Sequence, residues 1–195
     1  MWISHFHGDH FFGIPLLVIR FWEMGRRKPL FVLGQKGVED IFRQTLDLAY
    51  PGFAIRLQFP LEFVEMEPGA PLDKLGLRWQ TAENVHSQRS LSLRIDDQEK
   101  SLFYSGDGRP TAETLALAAG CDLMIHEAFR REDETAGHGS IRSCLEFARQ
   151  AGVANLALVH IQRDERRQVK EDMITLKEQK GINVFLPEPG DQFVI

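Results

Sequence analysis

Apolar residues along this chain alternate between a helical and a strand period. Val38, Ile41, Phe42 and Leu46 recur at steps of three and four, which predicts a helix over 38–49 with one buried face. The same period predicts helices over 12–23, 112–119, 140–151 and 165–179. Within 140–151, Ile141, Cys144, Leu145 and Ala148 form the apolar stripe, Ser140 suits the N-cap and Gly152 the stop. Shorter apolar runs predict strands at 54–66 (interrupted near Pro60), 76–82, 91–96, 100–104, 122–126, 155–160, 182–186 and 192–195. Helices alternating with short strands imply an α/β sandwich. His126, His160 and the turn Ser105-Gly106-Asp107 all fall at or just after strand ends, where a sheet presents side chains to a cleft.

Composition narrows the class without changing that picture. The 195 residues are 43% hydrophobic and 26% charged, an ordinary globular balance that excludes disorder and collagen-like structure and suits one domain over 1–195. No run approaches the roughly 20 apolar residues of a membrane span, and FFGIPLLVI contains Pro15, so no membrane partner is expected. Histidines occupy the place where a secretory leader would be apolar. Cys121 and Cys144 do not make a disulfide framework, which points to a reducing, cytoplasmic location. A net charge of −5 argues against a broad nucleic-acid-binding face. Arginines do cluster at 130 and 131 and again at 163, 166 and 167. Each cluster reads first as a solvated helix face and second as a local basic rim.

The stretch SHFHGDH, residues 4–10, changes the picture most. The seven histidines are His5, His7, His10, His86, His126, His138 and His160, and three of them lie in this one stretch with Asp9. His5 and His7 project to one side of an extended segment, and Gly8 permits a turn that redirects Asp9 and His10. One short loop can thus serve two ions. A dense polar cluster directly after an apolar strand has no packing rationale. Imidazole and carboxylate donors without thiolates suit zinc, with manganese or iron as alternatives.

The segment ISHFHGDHFFGIPLL resembles the His-x-His-x-Asp-His signature of the metallo-β-lactamase superfamily, and within it the ribonuclease Z-like branch. The likeness continues in order through NVHSQRSLSLRI, YSGDGRP, DLMIHEAF and GHGSIRSCLEFARQAGVANLALVHI. The resemblance implies a four-layer αββα sandwich and two divalent metal ions, zinc first. His5, His7 and His86 would hold one ion and Asp9, His10 and His160 the other, with Asp107 bridging. Two Zn2+ ions with two aspartates and a bridging hydroxide keep about one net positive charge, suited to an anionic substrate. It further implies phosphodiester hydrolysis with the metal-bridging hydroxide as nucleophile. Asp9, Glu127 and His138 are the catalytic candidates, His138 as proton donor backed by Glu127. Read alone, His138 also fits a loop histidine capping the next helix, and Asp107 a plain turn residue in Ser-Gly-Asp-Gly. His126, preceding Glu127 on a strand, should point the other way and be structural. Asp122 reads as a strand-start residue.

Three departures shape the expectation. Family members carry some tens of residues ahead of the motif, whereas only Met1–Ser4 stand here. Either the start lies upstream, or the chain is N-terminally truncated relative to the family and leaves a sheet edge for another chain to cover, as in a homo-oligomer such as a dimer. Residues 50–85 show no Gly/Pro-rich arm of the kind that grips transfer RNA. Gly108 stands where that branch commonly has threonine. The substrate expected is a small phosphodiester or an RNA held without the arm. The alternatives are a lactone, thioester or sulfate-ester hydrolase of the same fold, or a non-catalytic truncated metal-binding subunit.

Overall fold

The computed structural model of the chain describes residues 1–132, 135–177 and 181–194, the side chains of 172–177 excepted. The backbone divides into two compact units, Met1–Glu67 and Pro68–Ile195.

In the first unit, strands β1 (Trp2–Ile3), β2 (Leu30–Gly34) and β3 (Leu61–Glu65) form a parallel sheet in the order β1-β2-β3. The hydrophobic pattern does not single out β2. Its residues Leu-Phe-Val-Leu-Gly are buried at all positions but Phe31, so the alternation that marks a half-exposed strand is absent. A single helical turn, α1 (Gly8–Phe11), follows β1, and α2 (Ile14–Glu23) begins two residues later than predicted. Phe12 closes α1, and Pro15, whose missing N–H is harmless only in a first turn, places the new start. Helix α3 occupies Val38–Ala49, as the pattern predicts, burying Val38, Phe42, Thr45 and Leu46. Glu39 and Asp40 sit in its first turn, where the helix dipole favours negative charge. A Cβ on Gly34 would lie 2.9 Å from the Ile3 carbonyl and 2.7 Å from Val38 Cγ2, so only glycine lets β2 run this close to both. The predicted strand 54–66 is corrected. Phe53–Arg56 is a 3-10 turn entered through Gly52 in the left-handed region, and pairing starts only after Pro60, which has no N–H to donate.

The second unit carries a seven-stranded mixed sheet. Strands β4 (Leu72–Lys74), β5 (Leu77–Asn84), β6 (Ser90–Asp96) and β7 (Ser101–Tyr104) form an antiparallel meander. From β7 onward the sheet is parallel, adding β8 (Leu123–Glu127), β9 (Asn155–Val159) and β10 (Asn183–Phe185). Helices α4 (Ala112–Ala118), α5 (Ile141–Gln150) and α6 (Arg163–Lys177) make the crossovers. Helix α5 buries Ile141, Cys144, Leu145, Phe147 and Ala148. Each large apolar side chain fully buried this way is worth about 1.5–3 kcal/mol. Ser140 and Ser143 close its N-terminus as a reciprocal capping pair, and Gly152 ends it with φ +68°. Positions 178 and 179 of the predicted last helix, and Ile195 of the predicted last strand, lie outside the described residues. Residues 192–194 are irregular, with Phe193 stacked on Phe185.

The fold is therefore mixed α/β. What matters for chemistry is its parallel half, because the carboxyl ends of β7, β8 and β9 lie along one edge, the usual place for a site in such a sheet.

Candidate metal centre

In the first unit, His5 leaves β1 fully buried. Its Nδ1 pairs with Ser4 Oγ at 3.0 Å, so Nε2 is the nitrogen that could hold a metal. That Nε2 lies 3.0 Å from His7 Nδ1. Two nitrogens bound at about 2.0–2.1 Å to one tetrahedral ion would lie about 3.3 Å apart, so the pair already has a chelating spacing. His10 comes from α1, its ring centroid 4.1 Å from that of His5, and its Nε2 lies 3.4 Å from Asp9 Oδ2. Gly8 opens α1, so the turn that redirects Asp9 and His10 is helical. A Cβ there would lie 2.5 Å from the ring of Phe12, an exposed side chain that would have to turn aside.

The second unit gathers five predicted residues of its own. Asp107, in the turn after β7, is 3% exposed. Its Oδ2 lies 3.4 Å from His160 Nε2 and 3.9 Å from His138 Nδ1. His160, directly after β9, has φ +51°, an uncommon backbone for a non-glycine residue. Its ring stacks on that of His138 at 5.7 Å and 8°. His86, after β5, meets His138 edge-on at 5.0 Å, and its Nδ1 donates to the Gly137 carbonyl at 2.6 Å. With Nδ1 engaged, Nε2 is the His86 nitrogen that could hold a metal. His138 Nδ1 lies 3.3 Å from Glu127 Oε1, which also accepts from the amides of Gly139 (2.9 Å) and Gly108 (3.2 Å). Burial pushes the Glu127 carboxyl up to about 8, against the pull of the Gly139 and Gly108 amides. Its Oε2 is buried without a hydrogen-bond partner among the described residues.

Two donor groups in this unit close to within 4.8 Å. One is His86, Asp107 and His138, and the other is Glu127, His138 and His160. Imidazoles and carboxylates without a thiolate make a donor set that fits a divalent metal such as zinc.

His126 lies apart from this chemistry, 1% exposed and set between Phe103 and Phe147. Its Nδ1 donates to the Glu127 carbonyl at 2.7 Å, and burial pushes its pKa down to about 4. Asp122 Oδ2 accepts from the Ser101 amide and hydroxyl, a strand-start role. In the arginine clusters, Arg166 is committed to the Pro187 carbonyl at 2.7 Å and to Glu188.

Two residues inside the family-like blocks, though not among the predicted site residues, complete the scaffold. Asn84 Nδ2 donates to the carbonyls of Ser105 and Asp107 at 2.5 and 3.3 Å, which holds the aspartate turn. Arg109 reaches the carbonyls of Thr135 and His138. Both act on backbone oxygens, so no side-chain pattern reveals them. Their signal is their place in NVHSQRSLSLRI and YSGDGRP, beside His86 and Asp107.

Comparison with known proteins gives a consistent result. The model of the β-lactamase superfamily domain matches residues 2–161. Ribonuclease Z of Methanothermobacter thermautotrophicus is 25% identical over 214 residues, covering 83% of this chain and 68% of that protein. The short form of human tRNase Z superposes with a TM-score of 0.74 at 22% identity, over 96% of this chain and 75% of that one. The metallo-β-lactamase fold protein YhfI of Bacillus subtilis gives 0.72 at 20% identity, over 97% and 75%. At these identities the two structures show a shared fold.

Proposed function

The chain belongs to the metallo-β-lactamase superfamily, and from that premise we propose that it is a metal-dependent phosphodiesterase of the ribonuclease Z-like branch. The observation that carries the reading is the meeting of Asp107, His138 and His160 beside buried Glu127 at the carboxyl ends of β7, β8 and β9. The resemblance supports pooling the two units' ligands, with His5, His7 and His86 on one ion, Asp9, His10 and His160 on a second, and Asp107 shared. Zinc suits these donors best, with manganese and iron as alternatives. When bound, the ions supply Lewis acidity and a water acidic enough to act as nucleophile near neutral pH.

The chain's own residues do the rest. With Nδ1 directed at Glu127, His138 presents Nε2–H to the leaving oxygen. As the P–O bond breaks and its electron pair moves to that oxygen, the Nε2 proton follows. Glu127, held by the Gly108 and Gly139 amides, keeps the imidazole in the orientation and tautomer this requires. Asp9, beside His10, is assigned both to metal holding and to catalysis. The names of the relatives, ribonuclease Z and tRNase Z, support a phosphodiester substrate, either a small one or an RNA held without an arm. No helix among the described residues is long and apolar enough to cross a membrane. A cytoplasmic homodimer is the setting we propose.

The test is hydrolysis of bis(p-nitrophenyl) phosphate beside lactone, thioester and sulfate-ester substrates, with Zn2+ or Mn2+. Turnover of the phosphodiester is expected. Turnover confined to the other esters would overturn the reading.

A further inference from the structure

Arg109 lies outside the ligand set and the proton-transfer pair, yet it is tied to both ends of the turn that presents His138. Its backbone is fixed first. The Arg109 amide donates to the Val85 carbonyl at 2.9 Å and its carbonyl accepts from the Val85 amide at 3.0 Å, one residue before His86. From that anchored base the side chain crosses to the turn 135–138. Nε donates to the His138 carbonyl at 3.3 Å and Nη2 to the Thr135 carbonyl at 3.2 Å. These two donors lie on one edge of the planar guanidinium, so a single rigid group spans the turn that the His138 amide closes on the Thr135 carbonyl at 3.0 Å. From the opposite flank, His86 holds the Gly137 carbonyl, and a Cβ on Gly137 would lie 3.4 Å from His86 Nδ1. Three of the four carbonyls in this turn are thus gripped by residues 86 and 109. Arg109 itself forms the isolated bridge with Val85, and His86 is the residue that follows.

We propose that Arg109 is a positioning residue for proton delivery, fixing the His138 imidazole at the leaving group by holding the carbonyls on either side of it. The proposal rests on the reading of His138 as proton donor. A two-point grip matters because a displacement of about 1 Å can cost a positioned group roughly 10²-fold in rate. Lysine, a point charge without the fork, cannot make both contacts in this geometry.

Leaving-group dependence provides the test. Nitrophenolate departs without help, whereas the alkoxide of a dinucleotide phosphodiester needs a proton. Wild type, Arg109→Lys and Arg109→Ala are compared on bis(p-nitrophenyl) phosphate and on a dinucleotide, with metal content and Tm measured on each. The ratio of kcat for the dinucleotide to kcat for the nitrophenyl ester should fall about tenfold or more in both variants at unchanged metal content. Parallel losses on the two esters, or no loss, would overturn the assignment. Wild type inactive on both esters would count against the phosphodiesterase reading. The grip would then be judged from deuterium exchange at the His138 amide, where faster exchange in Arg109→Lys supports it and unchanged exchange overturns it.

Discussion

Oε1 of Glu127 lies 3.3 Å from Nδ1 of His138 while accepting two backbone amides, from Gly108 and Gly139. The same oxygen therefore ties the aspartate turn, the end of β8 and the histidine loop together. Glu127→Gln keeps an acceptor for the amides but removes the carboxyl that orients the imidazole. Turnover should fall roughly 10–100-fold, the usual cost of losing a supporting carboxylate. His138→Ala should cost more, about 10²–10⁴-fold, because the proton donor itself is gone. Steady-state kinetics with metal content measured in parallel checks both. A Glu127→Gln enzyme as fast as wild type would remove the carboxylate from the mechanism.

Asp107 lies 3.4 and 3.9 Å from two histidines, His160 and His138, and is almost fully buried. Its replacement by alanine should reduce bound metal below two equivalents and abolish turnover. Stripping metal from wild type should have a second consequence, because an ion held at 100 times its Kd stabilises the fold by about 2.7 kcal/mol. At about 2–4 °C per kcal/mol for a chain of this size, Tm should drop by roughly 5–10 °C on chelation. It should recover with Zn2+ or Mn2+. Elemental analysis with calorimetry reads both effects. An Asp107→Ala protein that keeps two ions would refute the shared-ligand assignment.

The candidate ligands were legible for a physical reason, and their supports were not for another. Helices α3 and α5 announce themselves because one face is buried and the other wet, so Val38, Phe42 and Leu46 or Ile141, Cys144 and Leu145 recur at helical steps. β2 is buried on both faces and has no rhythm to read. The dense His-x-His-x-Asp-His run is visible because no packing argument accounts for it. Pairing of Glu127 with His138 joins residues eleven apart across a loop, which periodicity cannot foresee; only the ordered likeness to a family suggested it. Asn84 and Arg109 grip carbonyl oxygens, which every residue possesses, so composition carries no trace of their roles.

His126 supplies a pH prediction independent of metal. Packed between Phe103 and Phe147, it is neutral when folded down to about pH 4, whereas in the unfolded chain it takes a proton near 6.5. Between those values the unfolded chain binds the extra proton, so stability rises with pH across the window from about 4 to 6.5 and is flat above it. The shift of about 2.5 units corresponds to roughly 3 kcal/mol lost by the acid end. His126→Gln retains a donor for the Glu127 carbonyl and does not titrate. Urea unfolding at pH 7 and pH 5 should show a smaller acid loss in the variant. Identical losses would mean that His126 is not buried neutral.

Gly108, where the ribonuclease Z-like branch commonly has threonine, tests whether this departure is local. Its φ is +133°, and a Cβ there would lie 2.5 Å from Asn84 Cβ and 3.1 Å from the Val85 carbonyl. Neither obstacle is the loose end of a flexible side chain. Asn84 is buried and held by Ser92 Oγ at 2.9 Å while it fixes the Asp107 turn. A side chain at 108 must therefore displace either Asn84 or the backbone that aims Asp107. Gly108→Ala should destabilise the fold by about 1–3 kcal/mol through strained backbone and overpacking. Because the displaced group holds the Asp107 turn, the same variant should also bind metal less tightly. Denaturation of the metal-free protein separates the two effects. If Gly108→Ala matches wild type in both, the close approach of Asn84 to this turn is not what excludes threonine.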